Sequence, residues 1–245
     1  MNVGTEVRVL NDRPALFEAA AAEFLRLAEL SIQGSGRFTV ALSGGTTPRS
    51  LYSLLGEQPN LPWDKIFFFF SDERHVPPDD PDSNFRMARE SLFSRAAIPA
   101  QNIFRVPAEI PDADNAAQSY EQTLRQFFHL EGRDLPRFDL ILLGLGPDSH
   151  TASLFPGTAA LHEVDRWVAA NWVEKFKTWR ITLTYPVLNH AAEIIFMVAG
   201  VEKQDALLQV LQGKSDVETY PAQGIQPENG RVLWLVDQSA AGPLK

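Results

Sequence analysis

The chain has 245 residues, of which 44% are hydrophobic and 22% charged, so it can bury a sizeable core and does not have the composition of a disordered segment. Its formal charge of -9, from 22 basic and 31 acidic residues, speaks against non-specific nucleic-acid binding and requires any anionic ligand to be caught by a local cluster of basic groups. Cysteine is absent, which excludes disulfides, thiolate nucleophiles and Cys-ligated metal sites.

In chain order, Glu6 to Leu10 reads as a first strand, and the stretch Met1 to Leu10 lacks the apolar run of a signal peptide. Pro14 to Ile32 carries Leu16, Ala20, Phe24, Leu27 and Leu30 at helical spacing. Phe38 to Leu42 is a strand, Pro48 to Leu55 a helix, and Lys65 to Phe70 a strand with four consecutive phenylalanines. Asn84 to Arg95 and Asn115 to Leu130 read as helices. Phe138 to Leu143 is a continuous apolar strand, followed by candidate strands at Trp167 to Trp172 and Arg180 to Thr184. Ile194 to Ala199 is a strand, Glu202 to Gln212 a helix and Val232 to Val236 a last strand. Strands that are apolar on both faces belong in a central parallel sheet covered by helices. With the β/α alternation this predicts a three-layer α/β fold, read as one domain over residues 1–245. Nothing approaches the ~20 apolar residues of a membrane span, and the expectation is a cytoplasmic protein.

Three loops follow the best strands, where ligands of open parallel sheets bind. Ser43-Gly44-Gly45-Thr46-Thr47-Pro48 offers close backbone approach and a helix start, with Thr47 as cap and Pro48 at the first position. That suits a phosphate, or equally an ordinary tight turn, and it is not a Walker A loop. Ser71-Asp72-Glu73-Arg74 places three charges at a strand mouth, either toward a polar ligand or as a solvated ion pair; Arg74 is the group suited to phosphate or an oxyanion. Gly144-Leu145-Gly146-Pro147-Asp148-Ser149-His150-Thr151 lacks the third glycine of a dinucleotide fingerprint. Asp148 and His150 stand two residues apart on a bend, where a histidine can serve as general base. His75, His129, His162 and His190 read as structural or solvated, and the loops lack a standard metal-ligand spacing.

Together these loops resemble the 6-phosphogluconolactonase family. The resemblance rests on Ser43 to Pro48, Ser71-Asp72-Glu73-Arg74-x-Val76-Pro77, Ser83-Asn84, Gly144 to Pro156, Arg180 to Thr184, and Lys203 within Gly200 to Lys203. It implies a Rossmann-like α/β domain similar to that of glucosamine-6-phosphate isomerases/deaminases. The implied reaction is hydrolysis of 6-phospho-D-glucono-1,5-lactone to 6-phosphogluconate, in the oxidative pentose phosphate pathway, with no metal or organic cofactor. Carried over, Ser43, Gly44, Gly45 and Thr46 would hold the substrate at its phosphate, with Arg180 and Lys203 adding positive charge. Arg74 would lie by the sugar or phosphate. Asp72 matches the proton-abstracting aspartate of the isomerase relatives. His150 would activate water, and Asp148 would either orient the imidazole or hold a sugar hydroxyl. The implied partner is a small sugar-phosphate lactone, with neither nucleic acid nor membrane, and the chain would act as a monomer or small homo-oligomer.

One departure stands out: Ser149 occupies a position that is usually glycine in the family, so a positive φ there would cost roughly 1 kcal/mol. Ser153 lacks a Gly-x-Ser-x-Gly elbow, against a covalent serine route. The nearest rival is a glucosamine-6-phosphate isomerase/deaminase, whose members carry a glutamate five residues after the histidine; here that residue is Phe155. A non-catalytic sugar-phosphate sensor would be expected to carry a helix-turn-helix ahead of this fold, and this chain opens on a strand. An inactive relative would rest on Ser149 alone.

Overall fold

The protein's structure, a computed structural model, describes residues 4–59, 61–242 and 244. The first three residues of the Met1 to Leu10 stretch thus lie outside the described residues.

Six strands form one sheet in the order β1 (Thr5–Leu10), β9 (Arg231–Asp237), β8 (Glu193–Val198), β5 (Leu140–Gly144), β2 (Phe38–Leu42) and β3 (Ile66–Phe70). Every neighbouring pair is parallel. The carboxyl ends of all six therefore point the same way, and the loops that follow them gather on one rim.

The four phenylalanines of β3 explain how the sheet is covered. Phe68 and Phe70 share the register face of Val40 and Leu42, while Phe67 and Phe69 share that of Thr39 and Ala41. On one face Phe68 meets Phe93 of a π-turn (Arg89–Phe93), and Phe70 meets Phe85 of α3 (Asn84–Ala88). On that same face Phe38 packs edge-on against Phe24 of α1 (Arg13–Ser35), and α1 packs beside α2 (Thr46–Gly56). On the other face Phe67 and Phe69 both contact Phe127 of α4 (Ala113–Phe128). A strand with four consecutive phenylalanines is thus one with a helical layer on each side.

The expected elements are observed in type, with ends shifted by a few residues, except at Asp72–Arg74. Asp72–Arg74, expected to lie in a loop, forms a short strand, β4. The expected strands near 167–172 and 180–184 become β6 (Val168–Val173) and β7 (Thr178–Leu183), which join β4 in a separate antiparallel sheet ordered β4-β7-β6. Ser71 links the two sheets: its N–H donates to Leu42 of the large sheet and its carbonyl accepts from Leu183 of the small one, both at 2.8 Å. Finally, α2 starts earlier than expected. Its N-cap is Gly45 at φ 104° with no side-chain cap, so Thr47 lies inside the helix.

Three further helices are α5 (Tyr185–Leu188), α6 (Gln204–Gln212) and the short α7 (Gln238–Ala241), and α7 packs against α6, β9 and β1. Among the described residues no helix is long and apolar enough to cross a membrane.

Candidate active site

The loops after β2, β3, β5 and β8, together with β7 of the small sheet, enclose a cleft of about 350 Å³. Nine of the ten expected site residues line it: Ser43, Gly44, Gly45, Thr46, Asp72, Arg74, His150, Arg180 and Lys203. The tenth, Asp148, stands behind the histidine.

The loop after β2 is fixed from below. Tyr52 of α2 is fully buried; its hydroxyl donates to the Ser43 carbonyl at 2.8 Å and accepts from the Ser43 N–H at 3.0 Å. Burial pushes the phenol far up, so it stays a neutral donor. The phenol supplies the hydrogen bonds that the end of a strand otherwise lacks. Gly44 then passes against Asn84, where a Cβ would lie 1.9 Å from Asn84 Oδ1. Only glycine fits that approach. Gly45 and Thr46, at the start of α2, are exposed on the rim, where free amides and the helix dipole favour an anion.

After β3, the three charges take different roles. Asp72 is 8% exposed, and Ser153 Oγ donates to its Oδ2 at 2.6 Å. Glu73 turns away from the cleft. Its carboxylate accepts from the backbone of Arg74, Asn84 and Phe85 and from Ser83 Oγ, so it caps α3 from the neighbouring strand. Burial, opposed by those backbone donors, pushes its carboxyl up to about 7. Arg74 lines the cleft and donates to the Asp82 carbonyl at 2.5 Å. The antiparallel register sets Arg74 directly opposite Arg180. Nε and Nη1 of Arg180 are buried without a hydrogen-bond partner. Burial and the neighbouring Arg74 charge lower the Arg180 pKa. Two guanidinium groups held side by side, one with unpaired donors, form an anion-binding arrangement.

The loop after β5 folds on itself. Gly146 N–H donates to the His150 carbonyl at 2.8 Å, Ser149 N–H to the Gly146 carbonyl at 3.0 Å, and Thr151 Oγ1 to the Gly144 carbonyl at 3.0 Å. Ser149 adopts φ 64°, the left-handed conformation that glycine enters without strain. A Cβ on Gly146 would lie 2.0 Å from His150 Nδ1, so this glycine too is required by space. His150 Nδ1 meets Asp148 Oδ1 at 2.5 Å, and Lys175 Nζ donates to Asp148 Oδ2 at 3.1 Å. Burial raises the Asp148 pKa, but the His150 hydrogen bond and charge, with Lys175, outweigh it and hold the carboxyl well below the usual range. An ionised carboxylate only accepts, so Nδ1 carries a proton, and in the neutral form of the imidazole the free lone pair is the one on Nε2. Phe155 stacks on the imidazole at 4.0 Å, and Phe176 packs edge-on against Phe155 at 5.8 Å.

After β8, Gly200 at φ 106° turns the chain so that Lys203 reaches the cleft. Burial lowers the Lys203 pKa, partly offset by Glu202 and Asp148. Arg13, at the start of α1, adds a cation from the loop after β1.

Several residues in the cleft wall or just behind it have no role implied by the sequence. Arg13 is an isolated arginine in sequence. Phe176 and Lys175 sit at a hairpin tip with no motif around them. Asn84 belongs to the Ser83-Asn84 pair, the one of these that a motif had marked. The other histidines point elsewhere. His75 Nε2 lies 2.8 Å from the Ile110 carbonyl, His162 contacts Glu218, His190 Nδ1 is 3.2 Å from the Pro136 carbonyl, and His129 ends α4. Ser153 is committed to Asp72. Among the described residues no group of three or more His, Asp or Glu side chains could hold a metal ion.

The sequence profile of a family described as "Glucosamine-6-phosphate isomerases/6-phosphogluconolactonase" matches residues 11–234. The chain belongs to this family. It is 45% identical over 238 residues to a 6-phosphogluconolactonase of Nostoc sp., covering 97% of this chain and 98% of that protein. To a Synechocystis sp. protein of the same name it is 44% identical over 240 residues, covering 98% of each. Among solved structures, a 6-phosphogluconolactonase from Trypanosoma cruzi superimposes with a TM-score of 0.89 at 30% identity, covering 100% of this chain and 98% of that one. The fold is therefore the family's three-layer α/β arrangement. Within the family's two named activities, Phe155 separates this chain from the isomerase pattern, because an apolar ring fills the position that has a glutamate in that pattern.

Proposed function

We propose that the chain hydrolyses 6-phospho-D-glucono-1,5-lactone to 6-phospho-D-gluconate, in the oxidative pentose phosphate pathway, with His150 as general base. The observation that carries this reading is the Lys175–Asp148–His150 chain: a carboxylate held ionised fixes the Nδ1–H tautomer of an imidazole that lines a cationic cleft. Nε2 takes a proton from water as the oxygen attacks the lactone carbonyl, then returns it to the ring oxygen as the C–O bond breaks. Asp148 orients the ring and stabilises its protonated form, the first of the two roles left open by the sequence. Arg180 and Arg74 supply donors to anionic oxygen, and the α2 start with Ser43, Gly44, Gly45, Thr46 and Lys203 supplies the phosphate anchor. Binding energy at the phosphate positions the distant carbonyl. Asp72, fixed by Ser153, faces the sugar as a hydrogen-bond acceptor. The reading calls on no metal or organic cofactor, treats residues 1–245 as one catalytic unit, and places it in the cytoplasm as a monomer or small homo-oligomer.

The test is a coupled assay on freshly prepared lactone, with spontaneous ring opening subtracted. Wild-type chain accelerates hydrolysis, and His150→Ala lowers kcat by roughly 10²-fold or more, the usual range for removal of a general base. Arg180→Ala raises KM. Near-normal turnover by His150→Ala would remove the histidine from the mechanism.

A further inference from the structure

Asn84 is 1% exposed, lines the cleft, and begins α3. Its backbone N–H is taken by Glu73 at 2.7 Å, and its Nδ2 donates to the Asp72 carbonyl at 2.9 Å. The Asp72 carbonyl is solely an acceptor, which fixes the orientation of the amide: the atom facing it must be the nitrogen. Oδ1 therefore faces the opposite way, against Gly44 in the wall of the cleft, and it is buried without a partner. The missing Cβ of Gly44 is what leaves room for it.

An unpartnered amide oxygen in a binding cleft selects the chemistry of what it meets. It repels phosphate, carboxylate and carbonyl oxygen alike, because all are acceptors, and it requires a donor. Asp72 beside it is likewise an acceptor, with Oδ2 taking a hydrogen bond from Ser153 at 2.6 Å and Oδ1 a long one from Asn84 Nδ2 at 3.4 Å. Arg180, by contrast, holds unpaired donors for the anionic parts of a ligand. The cleft thus has a donor-rich region for anions and an acceptor pair, Asp72 and Asn84, for hydroxyl groups.

We infer that Asn84 is a specificity-determining residue whose Oδ1 accepts a hydrogen bond from one hydroxyl of a polyhydroxylated sugar-acid lactone. Resting on the lactonase reading, this deepens it: the site selects substrates by a hydroxyl as well as by the phosphate and the carbonyl. A ligand lacking that hydroxyl leaves a buried acceptor unpaired, which a site of this kind penalises heavily.

The test compares kcat/KM for the parent lactone with that for its monodeoxy analogues, one hydroxyl removed at a time, on the wild-type chain and on Asn84→Ala. Wild type should reject one analogue by about 10- to 100-fold. Asn84→Ala should treat that analogue and the parent alike, with the other ratios unchanged. Gly44→Ala, whose Cβ would displace Oδ1, should erase the same discrimination from the opposite side. Equal ratios in wild type and Asn84→Ala for every analogue overturn the inference and leave the lactonase reading standing. Absence of wild-type turnover on the parent sinks the lactonase reading. Calorimetric titration with 6-phosphogluconate and its deoxy analogues then decides the inference: discrimination lost in Asn84→Ala supports it, and discrimination retained overturns it. If Asn84→Ala does not fold, Asn84→Ser and Gly44→Ala carry the comparison.

Discussion

Ser149 shows at the residue scale how one side chain can cost stability without disturbing the reacting groups. Its φ of 64° confirms that the position demands the left-handed region, where a Cβ is unfavourable. Ser149→Gly relieves that strain but gives the unfolded chain more freedom, so the expected net gain is about 0.5–1 kcal/mol. A rise in the urea midpoint with unchanged slope would show it, and a fall would mean that the serine side chain stabilises the loop. The neighbouring imidazole is held on an edge by Asp148 and on a face by Phe155. Two supports leave the ring little freedom, as a positioned proton acceptor requires.

At the scale of elements, the β6–β7 hairpin acts on the site twice. Its strand β7 brings Arg180 opposite Arg74, and its tip places Lys175 on Asp148 and Phe176 beside Phe155. Lys175 is more than half exposed, so solvent screens its pairing with Asp148. Lys175→Ala is expected to lower kcat/KM by about two- to fivefold, the range of an exposed ion pair, and Lys175→Arg to restore most of it. Removing this cation strengthens the hold of Asp148 on the protonated imidazole, so the acid limb of the kcat/KM profile should move to higher pH. An unmoved limb with lower kcat would indicate that the tip acts only through packing. The same scale explains β4: three residues too short to announce a strand become one because Ser71 passes the chain from one sheet to the other.

For the whole molecule, Glu73 ties the small sheet to α3, and its titration is felt as global stability. The unfolded carboxyl has a pKa of 4.5, and burial raises the folded value to about 7. The folded state therefore keeps a proton that the unfolded state releases between these values. The contribution is complete below pH 4.5 and is lost as pH rises through about 7. Urea unfolding at several pH values should show wild type weakening between pH 5 and 8 relative to Glu73→Gln, which cannot ionise, with a difference of about 1–3 kcal/mol. Parallel curves would indicate that the three backbone donors keep the carboxylate ionised.

The central sheet and the rim on which the site lies are legible in local residue patterns. Apolar runs such as Phe67–Phe70 can be satisfied only between two layers, and glycine-rich turns at strand ends report their own geometry locally. The sequence also marked Asp148 and His150, because their two-residue spacing on a bend is a local relation. The second sheet, the pairing of Arg74 with Arg180 and the approach of Lys175 to Asp148 come from the tertiary fold. Each joins residues far apart along the chain, and which charges face each other across such distances depends on strand register and on burial, to which no local pattern of residues is sensitive.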